Sequence, residues 1–190
     1  MISNKLNVKY FLITGDPGVG KTTLTKKLCS LLQTNGIKTT GFYTEEVRKN
    51  RVREGFDIIT LDGDQGRLAR VQSLLNFPTK FSVSKYGVLI EEFENVALPT
   101  LQKTQDPKTC LVIDEIGKME FFSAPFKNRV KEIFTIESDY IVLATIPVRK
   151  SDPLIEFIRN HNKAKLWVVT RENRDTIHED IIMAMKQAIL

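Results

Sequence analysis

Short apolar runs alternate along this chain with stretches whose apolar residues recur every three to four positions. That alternation predicts strands and helices following one another, and so an α/β fold with a mainly parallel sheet. A first strand covers about residues 9–14. A helix begins at Lys21, with Leu24, Leu28, Leu31 and Leu32 on one face and Asn35-Gly36 as its stop. A second strand covers about 39–44. Residues 46–48 and 56–61 then flank a polar turn and predict a β-hairpin. Residues 67–71 and 82–90 extend this antiparallel patch. At about 45–90 it is too short for a core of its own and reads as an insertion on one edge of the parallel sheet.

The pattern resumes with a helix over 91–104, facing inward through Phe93, Val96, Ala97 and Leu101. Pro99 lies inside that window and predicts a kink or two short helices. A third parallel strand runs over 109–114. The next helix starts at Ser123 as N-cap, with Pro125 in its first turn and Phe126, Val130, Ile133 and Phe134 as its stripe. A buried strand over 140–145, a short helix over 153–160 and a last strand over 166–169 follow. The final helix, 173–189, is striped by Ile177, Ile181, Ile182, Met185 and Ile189. The 190 residues suit one domain, with no internal repeat.

Two motifs add chemistry to this frame. Gly15-Asp16-Pro17-Gly18-Val19-Gly20-Lys21-Thr22 is G-x-x-x-x-G-K-[ST], set between an apolar strand and a helix. The glycines permit a tight path in which successive amides point into one concavity, and the helix start adds its positive end. Lys21 is expected to reach the β- and γ-phosphates, Thr22 to offer a hydroxyl to Mg²⁺, and Thr23 to complete the nucleotide-binding segment. The second motif is Cys110-Leu111-Val112-Ile113-Asp114-Glu115, an apolar strand ending in two acids. Asp114 is expected to hold Mg²⁺ and Glu115 to orient and deprotonate an attacking water.

Strand-end geometry adds Thr145, either facing the phosphate or bonded locally, and Arg171 and Arg174 after the last strand. The guanine signature Asn-Lys-x-Asp is missing. Its nearest match, Asn162-Lys163-Ala164-Lys165, precedes a strand and lacks the aspartate.

Composition narrows the partners. Net charge is +5, with 42% hydrophobic and 27% charged residues. No apolar stretch is long enough to span a bilayer, and Met1 to Asn7 has no apolar h-region, so a cytoplasmic protein without a membrane partner is expected. Cys29 and Cys110 read as reduced core thiols, and His161 and His178 as surface helix residues. The cluster Arg48-Lys49-Asn50-Arg51-Val52-Arg53 reads as a solvated hairpin turn or a phosphate contact. Without interleaved aromatics it does not indicate nucleic acid.

With GDPGVGKTTL from Gly15, GFYTEEVR from Gly41, GFDIITL from Gly55, VIDEIGKME from Val112, ATIP from Ala144 and TRENR from Thr170, the chain resembles the small cytosolic cancer-related nucleoside-triphosphatases of thermophilic prokaryotes and animals. The resemblance spans nearly the whole chain. It implies a P-loop fold of RecA-like or kinase-like type and hydrolysis of ATP, GTP, CTP or UTP to diphosphate and phosphate. It extends the nucleotide-binding segments over Gly15–Thr22 and from Cys110 through Ile116 and Gly117. It also implies that Lys118 stabilises charge on the transferred phosphoryl group, that Arg174 contacts nucleotide, and that Glu45, Glu46 and Arg48 border the site. Asp16 departs from the proline common in the family, and its charge would weaken phosphate binding slightly.

The leading expectation is a slow, Mg²⁺-dependent, base-tolerant nucleoside-triphosphatase, catalytic through Glu115, Lys21 and Lys118 and favoured as a monomer. A P-loop nucleotide or small-molecule kinase is one alternative. A nucleotide-switched nucleic-acid or protein binding module is the other.

Overall fold

The computed structural model describes residues 8–102, 109–135 and 141–189. Its sixteen residue segments include nine strands and five helices: β1 (Tyr10–Thr14), α1 (Lys21–Thr34), β2 (Lys38–Lys49), β3 (Val52–Thr60), β4 (Gln65–Val71), β5 (Phe81–Val83), β6 (Tyr86–Val88), α2 (Ile90–Thr100), β7 (Thr109–Asp114), α3 (Ala124–Thr135), β8 (Ile141–Thr145), α4 (Pro153–Arg159), β9 (Ala164–Val168) and α5 (Ile177–Ile189), with 3-10 turns at Gln72–Leu74 and Glu120–Phe122. All nine strands form one sheet in the order β5-β6-β4-β3-β2-β7-β8-β1-β9. The half from β2 to β9 is parallel, and the half from β2 to β5 is antiparallel.

The central strands are apolar at almost every position because helices cover both faces. Side chains alternate across them. Phe11, Ile13, Cys110, Val112 and Leu143 point to the face closed by Leu24, Leu28 and Leu32 of α1 and by Ile181 and Met185 of α5. Leu12, Leu111, Ile113, Val142 and Ala144 point to the other face, with Phe93 of α2, Phe126, Val130 and Ile133 of α3 and Ile155 of α4. Ser123 Oγ accepts from Phe126 N–H at 3.1 Å, so α3 starts with the expected cap.

Three expectations are corrected. The strand over 39–44 and the hairpin arm over 46–48 are one strand, β2, whose first half pairs with β7 and whose remainder pairs with β3. The helix over 91–104 is a single helix ending at Thr100, without a break. Pro99 falls in its last turn, where the missing N–H removes one bond at an end that frays; residues 103 and 104 lie outside the described ones, as does Tyr140. His161 is not on a helix: it follows α4 and packs edge-on against Tyr10, with ring centroids 4.9 Å apart.

The sheet order fixes where chemistry happens. β8 lies between β1 and β7, so the loop after β1 and the acids after β7 flank the end of one strand. Beyond Tyr43, β2 outruns β7 and overhangs that end of the sheet. Gly41 makes the crossing possible: at φ +118° it lies so close to β7 that a Cβ would fall 1.9 Å from the Val112 carbonyl oxygen.

Candidate active site

The loop after β1 is shaped by its glycines. Gly18 and Gly20 have φ of +76° and +113°, the left-handed region that glycine enters without steric cost. Gly15 admits no side chain, since a Cβ there would fall 2.5 Å from the Val169 carbonyl oxygen. Val19 is buried in the core beneath the loop and tethers it, and its N–H donates to Asp16 O at 3.2 Å. Gly20 caps α1 without a capping side chain, so the first amides of the helix are left to bind an anion. The Lys21 ammonium donates to Gly15 O at 2.9 Å and to Asp16 O at 3.4 Å, which holds it over the loop mouth.

The second motif is equally ordered. Cys110, Leu111, Val112 and Ile113 are wholly buried in β7 and act by placement alone, while Asp114 is 1% exposed at the strand end. Thr145 Oγ1, at the end of the neighbouring β8, donates to Asp114 Oδ1 at 2.5 Å. The Thr22 hydroxyl lies near enough to act on the same carboxyl. Burial pushes the Asp114 carboxyl up, against the Thr145 hydrogen bond, the Thr22 hydroxyl and the charge of Lys21. Asp114 Oδ2 is buried with no partner among the described residues.

This orphaned carboxylate oxygen beside a threonine hydroxyl suits Mg²⁺, which takes hard oxygen ligands and keeps the rest of its shell for water and substrate phosphates. Glu115, half-buried, turns into the open space beyond. Burial and the neighbouring Asp114 raise its carboxyl, and Lys21 lowers it.

One cavity of about 1090 Å³ joins the loop to Glu115, with the buried Asp114 and Thr145 outside its lining. Gly15, Asp16, Pro17, Gly18, Gly20, Lys21, Thr22, Thr23 and Glu115 line it, as expected. Its far wall is the overhanging end of β2 with β3: Thr44, Glu45, Glu46, Arg48, Arg53 and Phe56. Glu45 pairs with Lys26 of α1, and Glu46 with both Arg48 and Arg53. Burial opposes ionisation of Glu46, but its two arginines hold the carboxyl below the usual range. Arg53 Nε is buried without a partner among the described residues.

The basic cluster thus divides. Arg48 and Arg53 face the cavity, and Asn50 and Arg51 form the exposed turn at positive φ.

Other expected residues stand apart. Lys118 is exposed and outside the cavity lining, and Arg174 is exposed beside Asp175 in the turn before α5. Ile116 and Gly117 are buried behind Glu115. Cys29 and Cys110 are buried thiols, with burial pushing Cys29 up to about 12, in keeping with inert core cysteines.

Lys26, Phe56, Pro147, Val148 and Arg149 line the cavity without having been singled out in the sequence. Lys26 had a signal, lying one helical turn after Thr22. The residues at 147–149 follow β8, whose end was already marked by Thr145.

A family model described as NTPase matches residues 10–182. The nucleoside-triphosphatase THEP1 of Thermotoga maritima is 43% identical over 175 residues, covering 92% of this chain and 94% of that protein. The human cancer-related nucleoside-triphosphatase is 42% identical over 189 residues, covering 95% and 98%. The crystal structure of THEP1 from Aquifex aeolicus superposes with a TM-score of 0.80 at 42% identity, covering 90% of this chain and 96% of that one. Matched along nearly its whole length in sequence and in fold, the chain belongs to this NTPase family.

Proposed function

We propose that the chain is a Mg²⁺-dependent nucleoside-triphosphatase, cleaving NTP to NDP and phosphate with little regard for the base. The observation that carries this is the half-buried Glu115 carboxylate opening into the same cavity as the P-loop amides and Lys21. The loop amides and Lys21 bind the β- and γ-phosphates and neutralise charge that grows in the transition state. Asp114 and Thr22 would hold Mg²⁺, with Thr145 fixing Asp114. Bound there, the metal would supply charge neutralisation to the phosphates. Glu115 orients water in line with the γ-phosphorus and accepts its proton.

Base tolerance is supported by the missing guanine signature and by the exposed setting of Arg171 and Arg174. Lys118 and Arg174 act, on this reading, only if loop movement brings them to bound nucleotide. The names of the relatives are hydrolase names, which favours water over a second acceptor. Among the described residues no helix is long and apolar enough to cross a membrane. A cytoplasmic monomer is the corresponding proposal.

Phosphate release from ATP, GTP, CTP and UTP, with Mg²⁺ and with EDTA, tests the reading. Rates within about tenfold across the bases, lost with EDTA, are expected. A single accepted base, or turnover unaffected by EDTA, would overturn it.

A further inference from the structure

Among the described residues, five cationic side chains line the cavity: Lys21, Lys26, Arg48, Arg53 and Arg149. Four of them are engaged. Lys21 is held by Gly15 O and Asp16 O, Lys26 pairs with Glu45, and Arg48 and Arg53 share Glu46. Arg149 differs. It is exposed and has no ion pair, hydrogen bond or ring contact with any described residue. Asp16 and Glu115, the other acids of the lining, do not pair with it. A free arginine is ordinary on an outer surface. In the wall of a cavity built around an anion-binding loop, its charge is left for the ligand.

The fold gives this side chain a fixed root. β8 lies between β1, which leads into the phosphate loop, and β7, which ends in Asp114. The segment leaving β8 is bonded to both sides. Ile146 N–H donates to Ile13 O at 2.9 Å, and Thr14 Oγ1 donates to Ile146 O at 3.0 Å. Ile116 N–H donates to Thr145 O at 2.9 Å. The Arg159 guanidinium of α4 donates to Pro147 O, and the proline ring fixes φ at that residue. Val148 and Arg149 follow, both exposed. Arg149 thus stands on a short arm pinned between the phosphate loop and the acids, with its own side chain unrestrained.

We propose that Arg149 is a catalytic residue for hydrolysis: its guanidinium binds the γ-phosphoryl group in the transition state. This rests on the nucleoside-triphosphatase reading given above. As the water oxygen bonds to the γ-phosphorus, the bond from that phosphorus to the β–γ bridging oxygen breaks. The electron pair of the broken bond leaves with the NDP, and the water proton passes to Glu115. Negative charge is spread over the equatorial γ-oxygens as this happens. The loop amides and Lys21 already meet the phosphates of the ground state. A planar guanidinium offers parallel N–H donors that suit two γ-oxygens at once, and a cation supplied from within the same chain has a large effect on rate. Lys118, to which the resemblance gives this role, lies outside the cavity lining.

The test measures kcat, KM and the affinity for ADP–aluminium fluoride, a mimic of the transferring phosphoryl group. It compares parent, Arg149→Ala, Arg149→Lys and Lys150→Ala. Arg149 has no contact that holds the fold, so Arg149→Ala is expected to keep the parent Tm. Its kcat is expected to drop about 10²–10³-fold with KM within about threefold, because the interaction is made in the transition state and not before. Affinity for ADP–aluminium fluoride is expected to fall by a like factor, and affinity for ADP alone to stay within about threefold. Arg149→Lys keeps the charge without the fork and is expected to recover part of the rate. Lys150→Ala removes an exposed charge outside the lining and is expected to match the parent.

Arg149→Ala with the parent kcat, or with a raised KM alone, would overturn the inference. So would an equal loss of kcat in Lys150→Ala, which would reduce the effect to surface charge. A parent protein that itself neither releases phosphate nor binds ADP–aluminium fluoride would instead sink the hydrolase reading on which the role of Arg149 rests.

Discussion

Asp114 has two oxygens in different situations, and one hydroxyl decides between them. Thr145 bonds Oδ1 at 2.5 Å, and Oδ2 is left buried without a partner among the described residues. A metal-binding carboxylate oriented by such a neighbour loses about 10–100-fold in metal affinity when the neighbour is removed. Thr145→Val keeps the volume and deletes the donor. It is expected to raise the Mg²⁺ concentration for half-maximal phosphate release by that factor, with Thr145→Ser restoring it. An unchanged Mg²⁺ dependence in a folded Thr145→Val protein would remove the threonine from the site. The sequence marked Thr145 as a strand-end hydroxyl but left two partners open. The choice between them depends on β8 lying beside β7, which only the three-dimensional sheet order provides.

At the scale of elements, β2 carries the most. Its first half pairs in parallel with β7, and from Phe42 it pairs antiparallel with β3. Gly41 sits at this junction, where a side chain would meet the Val112 carbonyl oxygen at 1.9 Å in a backbone conformation unfavourable for L residues. Gly41→Ala is expected to cost about 2–4 kcal/mol. That corresponds to a fall in Tm of about 4–16 °C in thermal unfolding followed by circular dichroism. A Tm within 2 °C of the parent would show that the β2–β7 contact yields more easily than its geometry implies.

The continuity of β2 was hidden in the sequence for a physical reason. Thr44, Glu45 and Glu46 line a cavity instead of a core, so the alternation that marks a half-buried strand is lost there. Where both faces are buried, as in β1, β7 and β8, the apolar runs gave the strands to within a residue over the described positions.

For the whole molecule, the useful fact is the sheet order. It brings the loop after β1, the acids at the end of β7 and the overhang of β2 to one end of one sheet, where the loop, Glu115 and the overhang line one cavity. Motif spacing predicted the first two. Of the third, Glu45, Glu46 and Arg48 were implied by the resemblance and Lys26 by its place one helical turn after Thr22, while Arg53 and Phe56 reach the cavity through the long-range pairing of β3 with β2. Arg174 illustrates the converse: its sequence setting suggested the site, while the fold leaves it exposed at the turn before α5.

The central claim is that Glu115 activates water in a cavity whose phosphate grip is independent of it. The most direct measurement pairs single-turnover phosphate release with the Kd for ATP, on parent and Glu115→Gln protein. Release is expected to drop about 10²–10⁴-fold, with Kd within about threefold of the parent. Release at the parent rate, or loss of ATP binding in step with loss of release, would contradict the account.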